Sequence, residues 1–200
     1  MAPPDSGGDP PDGEKELATL RPEEARALLA RSLRLDSSGG RLEWFGDRHV
    51  LIRPALLVNL QRQMEQTVGA STKGILYLAG EKSGKEGVHE IPDLLRGFPL
   101  EETPFETAKR MADILALAGW GRFEVGSLDV ERRRGVITLE NSASAEMYGP
   151  SKKPVCHLLA GWIAGIASRL FGTEILCEEA ACRAQGKDRC EFQLQPMPTR

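Results

Sequence analysis

Cysteine is missing from the first 155 residues of this 200-residue chain, and all four cysteines lie between Cys156 and Cys190. Other chemistry is scarce as well. There are three histidines and no partners for them at recognisable spacing, so no serine–histidine–acid trio can be assembled. No Gly-x-Gly-x-x-Gly follows a strand pattern, which leaves no nicotinamide site. The segment Gly80–Gly87, GEKSGKEG, is one residue short of phosphate-loop spacing and has Glu86 where a hydroxyl should meet magnesium. A net charge of −3 exerts no long-range pull on nucleic acid or anionic lipid, so neither is expected as a partner. The longest apolar stretch, Val155 to Phe171, is broken by His157 and Arg169 and falls short of the ~18–20 residues that span a bilayer. The opening MAPPDSGGDPPDGEKE lacks the basic start and apolar core of a secretory signal. A cytoplasmic location is therefore expected, where clustered cysteines more often bind metal than pair.

What is present reads as one α+β domain, an antiparallel sheet packed with helices. Residues 1–18, rich in Pro, Gly and Asp, cannot bury enough surface to offset chain entropy and are expected to be disordered; residues 19–195 form the domain. Pro22 opens a helix with Leu28, Leu29 and Leu33 on one stripe, ended by Ser37–Gly40. RLEWFGDRHVLIRP alternates as a β-hairpin about Gly46-Asp47. Pro54 starts a second helix with Leu56, Leu57, Leu60, Met64 and Val68 inward and Gly69 past its end. Ala70 to about Ser83 is a third helix, despite Gly74 and Gly80. Thr103-Pro104-Phe105-Glu106 is a capping box; its helix turns Phe105, Ala108, Met111, Ala112 and Leu115 to one side and stops at Gly119. Phe123 to Leu139 gives two strands about the turn Arg132–Gly135. Pro154 opens a last helix, ending at Phe171, and a C-terminal hairpin follows.

The cysteine spacing carries the chemistry. Cys156 falls in the first turn of the last helix, where backbone N–H groups favour a thiolate, and shares a face with Ala160, Ile163, Ala167 and Leu170. Cys182 and Cys190 flank the loop RAQGKDR, and Glu179 stands just before Cys182. Together Cys156, Glu179, Cys182 and Cys190 make a closed four-ligand set for a structural Zn2+. Three thiolates and one carboxylate leave a formal charge of about −2, which Arg183, Lys187, Arg189 and loop amides are placed to offset. The residues alone leave open buried free cysteines or a Cys182–Cys190 disulfide, and His157 is an alternative fourth ligand. Cys177 lies between a core cysteine and an additional ligand. His49 and His89 read as surface residues. Gly161 and Gly165, with Ser168, form a small-residue face for close packing or for a dimer contact.

Glu140–Ser142, Cys156, the Gly161/Gly165 pair and E-x2-C-x-A-x-G-x3-C-x-F over Glu179–Phe192 resemble the 4-vinyl reductase domain family. The match is specific from about Glu140 to Leu194. Upstream, the Gly46 hairpin, the Pro54 helix and GILYLAGEKSG follow the family's order of elements. The family includes bacteriochlorophyll 4-vinyl reductase-type proteins and the sensor domains of phenol- and toluene-responsive activators. It is similar in fold to TRAPP transport-particle subunits. The resemblance implies that the three cysteines and the glutamate hold zinc, and that Cys177 and Ala160 line a ligand pocket. The sensors grip phenol with a histidine and a tryptophan ahead of the zinc helix; LDVERRRGVITLENS, the corresponding stretch, has neither. The function implied is non-catalytic binding of a small hydrophobic molecule, signalled through a homodimer or to a separate regulatory protein. The alternatives are a tetrapyrrole 4-vinyl reductase or an accessory component of one, and a scaffold.

Overall fold

The structure, a computed structural model, describes residues 27, 30–44, 47–95 and 103–198, without the side chains of 88–95, 110 and 114. The expected disordered stretch 1–18 and the start of the Pro22 helix lie outside the described residues.

The expected helix stripe does not continue to Leu33. Leu33–Asp36 is strand β1, paired antiparallel with β2 (Arg41–Trp44), and Ser37–Gly40 is the turn between them. Asp36 nucleates that turn, its carboxylate accepting from the Ser38 and Gly39 backbone N–H groups at 3.0 and 2.9 Å, and Gly40 supplies a φ of 61°. β2 pairs with β3 (Asp47–His49), as the hairpin reading requires, but the register Trp44↔Asp47 takes Asp47 out of the turn and into the strand.

Helix α1 (Pro54–Val68) begins at its proline as expected but buries another face. Val58 and Gln61 point inward, while Leu56, Leu60 and Val68 are exposed. A hydrogen bond decides the orientation: Gln61 Nε2 donates to the Val155 carbonyl at 3.2 Å, so the polar side chain is drawn to the interior. Helix α2 (Ser71–Leu95) runs well past Ser83, and neither Gly74 nor Gly80 interrupts it.

Helix α3 (Pro104–Leu117) opens on the anticipated box: Thr103 N–H donates to Glu106 Oε2 at 3.0 Å and Glu106 N–H to Thr103 Oγ1 at 3.3 Å. Met111, Ala112 and Leu115 are buried, whereas Phe105 stays exposed. Thr103→Ala is expected to lower stability by about 1 kcal/mol, read as a shift in thermal midpoint.

Strands β4 (Arg122–Asp129), β5 (Arg134–Glu140), β6 (Ile175–Ala181) and β7 (Cys190–Pro196) form an antiparallel sheet in the order β4-β5-β7-β6. Arg134 and Gly135 belong to β5, so the turn is shorter than expected, with Arg133 at a φ of 54°. A short helix unforeseen from the sequence, α4 (Ala143–Tyr148), follows β5. Helix α5 (His157–Phe171) lies between the sheet and α2, contacting β6 on one side and α2 along its other. Leu139, Leu159, Ile175 and Phe192 are the largest apolar side chains wholly buried there. Each contributes about 1.5–3 kcal/mol by leaving water.

The fold is thus α+β, with helices packed on an antiparallel sheet. The small-residue face of α5 meets α2 within the same chain. A methyl group at Gly161 would sit 1.9 Å from the Tyr77 carbonyl oxygen, and one at Gly80 would sit 2.1 Å from that of Leu158.

Candidate metal centre and neighbouring clefts

Strand alternation turns Ile175, Cys177 and Glu179 of β6 toward the core, and Cys190, Phe192 and Leu194 of β7 do the same. A register shift between Glu179 and Ala181 then bends β6 just before Cys182. The chain turns through a 3₁₀ helix (Arg183–Gln185) that ends on Gly186 at a φ of 81°. That turn returns Cys190 to the face holding Glu179. The third contributor is the start of α5. Helix α5 begins at His157, three residues later than Pro154, and Cys156 is its N-cap at φ −87°, ψ 41°. At this bend the Cys156 carbonyl enters the helix ladder, accepting from Ala160 N–H at 2.9 Å, while its N–H donates to Glu179 Oε2 at 2.8 Å.

One ligand atom from each of Cys156, Glu179, Cys182 and Cys190 comes within 4.8 Å of the others, and all four residues are buried. Cys156 Sγ lies 3.9 Å from Cys190 Sγ, which lies 3.9 Å from Cys182 Sγ. Sulfurs each 2.3 Å from a tetrahedral ion stand about 3.8 Å apart. A disulfide would bring them to about 2.05 Å, and all four cysteines are free. Glu179 Oε1 is buried without a hydrogen-bond partner, an arrangement that a cation would satisfy. The donor set therefore fits a metal ion.

Electrostatics within the cluster agree. Burial, followed by its contact with Cys182, pushes the Glu179 carboxyl up to about 8. The Cys156 thiol is raised by its hydrogen bonds to Cys182 and Cys190 and then by burial, and Cys190, bonded to Cys156 and Cys182, is pulled down to about 4. Four acidic groups in one buried space cannot all shed protons unless a cation replaces them. The expected compensation by Arg183, Lys187 and Arg189 side chains is not what the fold provides. Arg183 donates its backbone N–H to Cys190 Sγ at 3.4 Å, its guanidinium goes to Asn141 Oδ1 at 3.2 Å, and Lys187 and Arg189 are exposed.

The Glu140–Ser142 motif acquires a role here that spacing did not disclose. Asn141 turns the chain at a φ of 52°; Ser142 caps α4 through Ala145 N–H at 3.2 Å, and its hydroxyl lies 3.6 Å from Cys156 Sγ. His157, the alternative ligand, is outside the cluster; burial and the charge of Lys73 lower its basicity.

Cys177 is also outside the cluster. With Ala160 it lines a cleft of about 1090 Å³ that also touches Tyr77, His157, Leu176 and Glu179. The Cys177 N–H donates to Tyr77 Oη at 3.0 Å, and burial pushes that phenol up to about 12. Burial likewise raises the Cys177 thiol, which is the inert, protonated state of a core cysteine. At the other end of α5 a wholly apolar cavity of about 40 Å³ lies among α3, α5 and the sheet, walled by Met111, Phe123, Ile137, Ile163 and Leu194 among others. It is too small for an aromatic ring, which needs roughly 150 Å³.

Fold and cluster together define a domain of the vinyl-4-reductase class: the model of that domain family matches residues 136–196, a span that holds Cys156, Glu179, Cys182 and Cys190. Among curated proteins the chain is 25% identical over 172 residues to the transcriptional regulatory protein XylR of Pseudomonas putida. It is 27% identical over 172 residues to the phenol regulator MopR of Acinetobacter guillouiae. Either alignment covers 81% of this chain but only 30% of the relative. Among solved structures, the phenol-responsive sensory domain of the transcription activator PoxR with phenol superposes at a TM-score of 0.74, with 23% identity, covering 87% of this chain and 89% of that one. A vinyl-4-reductase family protein of Methanocaldococcus jannaschii gives 0.51 at 17% identity, covering 90% and 98%. A trafficking protein particle complex subunit 3 of Naegleria fowleri, covalently bound to palmitic acid, gives 0.53 at 16%, covering 72% and 95%. The resemblance to the 4-vinyl reductase domain family, and the fold likeness to transport-particle subunits, are thereby borne out.

Proposed function

We propose that this chain is a non-catalytic, cytoplasmic sensing module that binds a small hydrophobic molecule and passes the signal to a separate regulatory protein. In this reading Cys156, Glu179, Cys182 and Cys190 hold a structural Zn2+, and the ligand lies against Ala160 and Cys177. One observation carries it. Two residues from different elements, both expected to touch a ligand, line a single cleft that also reaches Glu179. A molecule in that cleft would press on the hairpin that the metal pins to α5, which gives occupancy a route to the surface. The likeness to XylR and MopR, regulatory proteins of which one is a phenol regulator, supports a sensing role. Zinc suits three thiolates and one carboxylate with no position left for water, so the ion would fix structure and take no part in chemistry. A homodimer is part of the same proposal: Leu56 and Leu60, one helical turn apart on α1 and 59% and 55% exposed, offer it an apolar face.

Native protein, purified and extracted with organic solvent, should release an apolar compound detectable by mass spectrometry. Ala160→Leu, which fills the cleft wall, should lose that compound and retain its metal. Protein that carries no such compound, yet reduces a vinyl tetrapyrrole when given an electron donor, would overturn the sensing reading in favour of a reductase.

A further inference from the structure

All three tryptophans of the chain line one cleft. Trp44 comes from β2, Trp120 from the connection between α3 and β4, and Trp162 from α5. Segments so far apart in sequence bring together most of the ring surface that a chain with 6% aromatic residues possesses. All three rings are only partly buried, so they are not committed to the core. The cleft encloses about 680 Å³ and lies away from the one at Ala160 and Cys177, sharing no lining residue with it.

Its walls select by chemistry. Trp120 and Trp162 stand 6.2 Å apart between ring centroids at 47°, and Trp44 meets His49 edge to face at 5.7 Å and 74°. Tilted and edge-on rings leave faces to which another ring can pack. Met111 and Ile166, with Leu115 between them, also bound the small apolar cavity, so the interior beyond this wall is apolar too. No lysine or arginine lines the cleft among the described residues; its polar side chains are Asp47, His49 and Ser144. A carboxylate or phosphate would lose hydration there and find no cation. We propose that this cleft is a second binding site, for a small uncharged aromatic molecule, independent of the cleft beside the metal centre.

The three indole N–H signals report on it directly in the full chain labelled with nitrogen-15, each assigned by a tryptophan-to-phenylalanine variant. Toluene is expected to move all three in a saturable titration, whereas benzoate and tetramethylammonium leave them in place. Gly87→Leu supplies a blocked form. Gly87 lines the cleft from α2, and a side chain added there meets nothing within 4 Å, so the variant should fold, keep its metal and lose the toluene shifts. Ala160→Leu should keep them, which separates this site from the one proposed above. The proposal falls if toluene moves none of the indoles, if tetramethylammonium moves them instead, or if the shifts persist in Gly87→Leu. It also falls if self-association moves the same signals and toluene does not, since the occupant is then a second copy of the chain.

Discussion

Cys182→Ser is expected to reduce bound zinc from one ion per chain to none and to destabilise the fold by on the order of 5 kcal/mol, as much as the entire stability of some domains. The size follows from how the site is built. Cys182 is wholly buried, and its sulfur is 3.9 Å from that of Cys190, across the position a tetrahedral ion would occupy. Serine offers a poor ligand at neutral pH and shortens the reach. Two thiols and a carboxyl already pushed up to about 8 are then left in a buried space with nothing to neutralise them. The hairpin depends on that ion, since between Ala181 and Cys190 the chain has one 3₁₀ turn and no ladder bonds of its own. Cys177→Ser is the matched control. It replaces an equally buried thiol on the same strand face but outside the cluster, so zinc should remain and the loss should stay near ~1–2 kcal/mol. Metal content by mass spectrometry and unfolding by denaturant read both. Equal loss in the two variants, or full stability in metal-free wild type, would sink the structural-zinc reading.

The ligand set was legible because its chemistry is local. Glu179, Cys182 and Cys190 belong to one hairpin, and buried cysteines facing a helix start have few other purposes in a reducing compartment. The capping box at Thr103 and the hairpin after Arg41 were legible for the same reason, each being settled among residues a few positions apart. Helix α1 shows the limit. Leu56, Leu57 and Leu60 suggest a buried stripe, but the carbonyl that draws Gln61 inward belongs to Val155, 94 residues away. Leu33 failed similarly, because a helical spacing of leucines cannot show that β2 waits to pair with it. Ser142 beside Cys156 and the three tryptophans around one cleft are products of tertiary folding, and no periodicity announces them. Gly161 and Gly165 fall between these cases: a small-residue face signalled close packing without naming the partner.

That partner makes the second large effect expected. Gly161→Ala should destabilise the protein by about 3 kcal/mol, although alanine is the better helix former by about 1 kcal/mol. The new methyl would lie 1.9 Å from the Tyr77 carbonyl oxygen and 2.7 Å from its carbon, both backbone atoms of α2 that no rotamer change can move aside. Gly165 meets the Glu81 carbonyl at 2.2 Å, and from the other side Gly80 and Gly84 meet the Leu158 and Trp162 carbonyls at 2.1 and 2.3 Å. Four glycines, two on each helix and four residues apart, thus let the two backbones approach closely. One methyl would have to wedge α2 away from α5. The wedge would reach the ligand site as well, since Tyr77, beside Gly161, holds the Cys177 N–H and lines the cleft with Ala160. Gly74→Ala on the same helix as Tyr77 supplies the contrast: a methyl there meets nothing within 4 Å, so the propensity gain stands alone and the variant should be stabilised by roughly 0.5–1 kcal/mol. Opposite signs for two glycine-to-alanine changes, measured by thermal or denaturant unfolding, would establish that the spacing between α2 and α5 is set by these contacts; a gain at Gly161 would show that the helices stand farther apart.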